Sequence, residues 1–277
     1  MKFNLMKRVC KFCKSILAGI IIAVFPSSPF SIKKTNLFDR DFLLYIDQDV
    51  GRKILLGIFE TKETEFLLSQ IRKDDVCLDI GANVGYYTFL FSSVAKQVFS
   101  IEPIRQNADL IRLSCSINRV NNISVICAAA SSINDEIEFL ESTETCYSSV
   151  KYIDHDASLI NAYDTSFNCS YRVPAITIDS LCLDKLDIVK MDIEGYEYLA
   201  LQGMTHTLKS VRPRILMIEM VESHLNRFGS GLHDVLTFLG ECGYKPMILS
   251  GGKLANYKGQ SIPNDNLFFI QKEKDSD

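Results

Sequence analysis

The chain has 277 residues, 47% hydrophobic and 23% charged, ordinary values for one globular domain with additions and enough length to bury a sizeable core. A net charge of −4 gives no general attraction to nucleic acid, whose binders carry a basic domain or stripe. Nine scattered cysteines, several in apolar runs (Cys77, Cys127), argue against a disulfide framework and for reduced thiols in a cytoplasmic protein, with the sequons at Asn122 and Asn168 as chance matches.

Residues 1–38 hold seven basic residues and no acid. Ile16 to Phe25 is a continuous apolar run, too short for the roughly 20 residues that span a bilayer. The start resembles a signal peptide but lacks an A-x-A-like cleavage site. Leu5, Val9, Phe12, Ile16, Ile20 and Val24 share one helical face, with Lys7, Arg8, Lys11 and Lys14 opposite. The spacing predicts an N-terminal helical extension that either makes peripheral membrane contact through residues 5–25 or docks on its own domain. Cys10 and Cys13 lack the second ligand pair of a structural zinc site. Pro26 to Asn36 reads as a linker, dividing 1–38 from a main domain over 39–277.

Residues 41–58 read as strand-prone edge material with a turn at Asp47–Gly51, and Glu60–Ile71 as a helix. Val76 to Gly85, VCLDIGANVG, then reads as strand, tight turn and helix start: an apolar run carrying Asp79, a bend through Gly81, Asn83 and Gly85, and helical spacing from Tyr86. Those three positions tolerate positive φ and let backbone approach a ligand, and the helix start presents free N–H groups. The bend is G-x-N-x-G rather than the dinucleotide G-x-G-x-x-G. A second strand, Gln97–Pro103, ends at Glu102, 21 residues after Gly81, where a carboxylate can take both hydroxyls of a ribose.

A helix over 104–119 and a strand over 123–129 follow, then an alternating run at Asp135–Glu141 and a polar insertion to Tyr171 expected to shape an acceptor site. His155 within it reads as a solvated loop residue. Asp179 is expected to cap a short turn. The fourth parallel strand, Leu186–Met191, runs into Asp192-Ile193-Glu194-Gly195, with Lys190, Asp192 and Glu194 in phase. Such charges are internally paired, or they face a ligand at the carboxyl end of a strand lying beside the first. A helix over 196–210, a strand over 214–220 carrying Glu219, a helix over 231–242 and strands at 244–249 and 267–271 complete the pattern.

Taken together, VCLDIGANVGYYT, VFSIEP, the asparagines at 118–122, VPAITIDSL, IVKMDIEGYE, Leu201-Gln202-Gly203 and RPRILMIE resemble the FkbM family over roughly Glu60 to Ile270. The resemblance implies a methyltransferase domain over 39–277, with an S-adenosyl-L-methionine (AdoMet) binding core at about 60–271. The fold it implies is α/β, a doubly wound, seven-stranded, mostly parallel Rossmann-like sheet with an antiparallel last strand. It implies cofactor contacts at Asp79, Gly81, Asn83, Gly85 and Glu102, and a reaction centre at Asp192 and Glu194; as the base that takes the acceptor proton, Asp192 comes first, Glu194 second and Glu219, ending its own strand, third. The usual reaction is O-methylation of a sugar, glycan or secondary-metabolite hydroxyl on a small-molecule or glycan acceptor. The acids alternatively hold a divalent cation. Two other readings stand beside this one, an RNA ribose 2′-O-methyltransferase and a non-catalytic AdoMet or nucleotide-binding module. Oligomeric state is not legible.

Overall fold

The computed structural model describes residues 32–45, 49–142, 148–151, 167–262 and 265–272. In chain order, β1 (Ile32–Leu37) and β2 (Arg40–Tyr45) precede α1 (Asp49–Leu55), α2 (Thr61–Gln70), β3 (Val76–Ile80), α3 (Tyr86–Ser92), β4 (Gln97–Ile101), α4 (Arg105–Asn118) and β5 (Ile123–Ile126). Next come β6 (Ala129–Ala130), β7 (Asp135–Ser142), β8 (Ser149–Val150), β9 (Phe167–Ile176) and a 3₁₀ turn at Ile178–Leu181. The chain continues through β10 (Ile188–Met191), α5 (Glu197–Gln202), a π turn at Thr207–Val211, β11 (Ile215–Glu219), α6 (Glu222–Asn226), α7 (Leu232–Glu241), β12 (Tyr244–Ser250), β13 (Lys253–Asn256) and β14 (Asn266–Gln271).

The main sheet has the order β13-β12-β14-β11-β10-β3-β4-β5. Its β11-β10-β3-β4-β5 stretch is parallel throughout. β14 runs antiparallel to both β11 and β12. The fourth parallel strand does lie against the first, Lys190 opposite Asp79, so the strand order reverses between them and a crevice opens at their carboxyl ends. β3 and β10 are apolar runs because helices cover both sheet faces; Leu78, Ile80, Val189 and Met191 pack on one side and Cys77 and Ile188 on the other. α3 is buried from Tyr87 to Ser92, which explains its lack of a polar stripe.

The expected elements recur with instructive differences. The sheet has eight strands rather than seven, because Gly251-Gly252 closes a hairpin that adds β13 at the edge. β1 pairs with β2 across Phe38-Asp39, so Ile32–Asn36 is strand rather than linker and the expected division at 38/39 falls in a hairpin turn. Its lysines are at home on a solvated edge. The supposed edge material at 41–58 ends in helix α1, whose Asp49 and Lys53 pair at i,i+4. The expected third strand splits, with Ala129-Ala130 joining a second sheet of order β6-β9-β7-β8. Asp179 does not cap its own turn: Thr177 Oγ1 accepts from Ser180 N–H at 3.2 Å, while Asp179 accepts from the His206 and Thr207 N–H groups at 2.8 Å each. The helical segment expected at residues 5–25 and the loop histidine His155 lie outside the described residues. No helix among the described residues is long and apolar enough to cross a membrane.

Candidate active site

A cleft of about 1240 Å³, counted to its open mouth, lies over the carboxyl ends of β3, β4 and β10. One wall is the bend after β3. Gly81, Asn83 and Gly85 all take positive φ, at +75°, +50° and +91°. A Cβ on Gly81 would sit 1.8 Å from the Asp192 carbonyl oxygen, so glycine there lets the first and fourth strands' ends close on each other. Gly81 and Asn83 line the cleft, whereas Gly85 caps α3 behind it.

Glu102 stands at the end of β4 on the same wall, 4% exposed. Its carboxylate accepts from Asn83 N–H at 2.7 Å and Ile104 N–H at 2.9 Å, tying the glycine bend to the second strand. Burial pushes its pKa up to about 7 against those hydrogen bonds. Asp79 is placed differently. It is fully buried under the bend, outside the cleft lining, and accepts from Thr88 Oγ1 at 2.6 Å while its second oxygen has no hydrogen bond.

The opposite wall gathers Lys190, Asp192, Glu194 and Glu219. Lys190, 5% exposed, donates to Asp192 Oδ2 at 3.2 Å and the Gly81 carbonyl at 3.4 Å, and its ammonium lies 5.5 Å from the Tyr87 ring centroid. Burial alone would push this ammonium's pKa down, but Asp192, Asp79 and Glu60 outweigh it and hold it raised. Glu194 takes φ +58°. Its loop is held from behind by Glu197, which accepts from Ile193 N–H at 2.9 Å and which burial pushes up to about 7. Burial, then the neighbouring Asp192, Glu194 and Glu197, pushes Glu219 well above the usual carboxylate range.

Two residues beside these groups were not singled out from the sequence. Glu60, at φ +34° before α2, lines the cleft, accepts from Tyr87 OH and accepts from Asn266 Nδ2 at 3.0 Å. Burial raises its pKa. His224, on α6, brings Nδ1 to 3.1 Å from Glu194 and 3.9 Å from Glu219. Neither has a local signal: Glu60 meets its partner Asn266 across 206 positions, and His224 sits on a five-residue helix with no periodicity to read.

The raised acids set a pH dependence. Glu102 and Glu197 hold a proton in the folded chain up to about pH 7, whereas the unfolded groups release it near 4.5. Their contribution favours folding below that lower value and is lost as pH rises through 7, by up to about 3 kcal/mol each. Unfolding free energy of the ligand-free protein is expected to fall between pH 5 and 8, and Glu102→Gln to flatten that slope in urea titrations. An unchanged slope in the variant removes Glu102 as its source.

A doubly wound sheet with a glycine bend after the first strand, an acid ending the second and a carboxylate-lined crevice at the strand-order reversal is an architecture that binds nucleotide-type cofactors. The Methyltransferase FkbM domain matches residues 79–246, more than half of the chain, and the chain belongs to that family. The Hexuronic acid methyltransferase AglP of Haloferax volcanii is 29% identical over 150 residues, which cover 52% of this chain and 56% of that protein. The chain thus matches about half the length of this curated relative. Among solved structures, the methyltransferase FkbM of Methylobacillus flagellatus KT aligns with a TM-score of 0.46 at 15% identity, over 93% of this chain and 59% of its own. TYW2 of M. jannaschii, in complex with AdoMet, aligns at 0.44 and 11% identity over 89% of each.

Proposed function

We propose that the protein transfers the AdoMet methyl group to a hydroxyl of a sugar, in a glycan or small molecule. The observation that carries this reading is one cleft holding both halves of the chemistry: Gly81, Asn83 and Glu102 on one wall, and Asp192, Glu194 and Glu219 on the other. A relative that acts on a hexuronic acid supports a sugar acceptor.

The cradle fits the donor. Gly81 leaves no Cβ between the bend and the fourth strand, and Glu102 offers carboxylate oxygens at the cleft surface for the two ribose hydroxyls. Asp79, buried below, acts by orienting α3 through Thr88 and by opposing the Lys190 charge. The bound donor supplies an electrophilic methyl and a neutral thioether leaving group. The chain's task is then alignment at near-attack distance, on the order of 7 to 11 kcal/mol. Asp192, half-exposed to the cleft and steadied by Lys190, accepts the acceptor hydroxyl proton as the C–S bond breaks and the O–CH₃ bond forms. Lys190, 3.2 Å away, holds that carboxylate in place. Glu194 and Glu219 are the alternative bases.

Calorimetric titration of AdoMet and AdoHcy tests the donor half, and a screen of glycan and small sugar acceptors for AdoHcy release tests the acceptor half. Micromolar binding of both nucleosides with AdoHcy release on sugars is expected. Absence of any heat or thermal shift with either nucleoside overturns the assignment. Release only with RNA replaces the sugar by a ribose in nucleic acid.

A further inference from the structure

At the far edge of the cleft three donor groups from three separate elements converge: Glu194 from the loop after β10, Glu219 from the end of β11 and His224 from α6. One ligand atom from each lies within 4.8 Å of the other two. The closest pair, His224 Nδ1 and Glu194 Oε2, is 3.1 Å apart, and His224 Nδ1 to Glu219 Oε2 is 3.9 Å. Around a cation with bonds of about 2.1 Å, neighbouring ligands stand about 3 Å apart and opposite ones about 4.2 Å, so these separations need little adjustment.

We propose that Glu194, Glu219 and His224 bind one divalent transition-metal ion, of the Mn²⁺, Fe²⁺ or Zn²⁺ kind. A second observation points the same way. His224 Nδ1 is shielded from solvent and makes no well-formed hydrogen bond; its nearest polar neighbour is Glu194 Oε2 at 3.1 Å. A buried ring nitrogen without a partner is costly. A cation between the three satisfies the nitrogen and removes the repulsion between two acids, one of them only 9% exposed. The elements are also clamped in this arrangement. Gly195, at φ +103°, approaches so closely that a Cβ there would lie 2.2 Å from the His224 carbonyl oxygen. One nitrogen and two carboxylate ligands favour a borderline metal over Mg²⁺ or Ca²⁺, which prefer all-oxygen shells.

Glu194 and Glu219 also line the cleft, so the remaining coordination positions face it. This arrangement of three protein ligands with an open side is that of catalytic rather than structural metal sites. Adjacent hydroxyls of a sugar acceptor suit those positions, and coordination lowers a hydroxyl's pKa. Only that role rests on the proposed function; occupancy is measurable with no acceptor present.

The test uses the full chain and Mn²⁺ alone, stripped of other metals by chelation. Titration followed by electron paramagnetic resonance is expected to show one bound Mn²⁺ per chain, with ¹⁴N modulation from a coordinated imidazole. His224→Ala should abolish the modulation and weaken binding at least tenfold, and Glu219→Gln should weaken it similarly. Circular dichroism and thermal melting of both variants, expected to match the parent, check that each is folded. No retained Mn²⁺ at millimolar concentration, or retention without ¹⁴N modulation and unaffected by either substitution (an adventitious ion only), overturns the proposal. Mn²⁺ binding without AdoHcy binding would uphold the metal site while sinking the methyl-transfer reading.

Discussion

Lys190→Met is expected to be the most damaging single change in the protein, lowering the unfolding free energy by about 3–5 kcal/mol and the melting midpoint by roughly 10 °C. The ammonium is 5% exposed and is the cation opposite Asp79, Asp192 and Glu60. Methionine keeps the packing volume against Tyr87 but leaves Asp79, fully buried with one oxygen already lacking a hydrogen bond, without its countercharge. Uncompensated buried charge, rather than lost volume, is therefore the expected cause. The pairing with Asp79→Asn separates the two: the double variant should recover part of the loss in denaturant titrations, because the amide removes the orphaned charge. A Lys190→Met loss under about 1 kcal/mol, or a purely additive double variant, would mean that water already screens this site.

Asp192→Asn is expected to lower turnover by roughly 10² to 10⁴-fold while AdoHcy affinity stays within a few-fold. The amide keeps an oxygen that can accept from Lys190, so the wall keeps its shape, yet it cannot take a proton from an acceptor hydroxyl. Single-turnover kinetics alongside calorimetry read the two effects apart. Turnover equal to the parent's would remove Asp192 from the chemistry and pass the role to Glu194 or Glu219. Affinity and turnover falling together would make Asp192 a donor ligand instead.

The central strands were legible because their physics is local. A parallel strand covered on both faces reads as an apolar run, and Asp79, Glu102 and Asp192 stand out as acids interrupting or ending such runs. The bend could be read because positive φ at alternate positions selects Gly81, Asn83 and Gly85. That Asp79 lies below the cleft could not, since a strand's period does not say which face carries the ligand. Glu60 and His224 were illegible for a related reason: each owes its place to a contact made only after the sheet closes. Asp179 shows the limit in miniature, a residue typical of a local cap that spends its oxygens on a helix 27 positions away.

The position of β14 between β11 and β12 has a consequence for how the chain is made. Leu267, Phe268 and Phe269 are fully buried there, yet they follow every other strand of the sheet in sequence. As the nascent polypeptide leaves the ribosome, β3, β4, β5, β10 and β11 can zip together, while the seat beside β11 stays open until residue 271 has emerged. For that interval β11 is a bare, apolar template, the kind of edge that chaperones shield and that stray strands pair with.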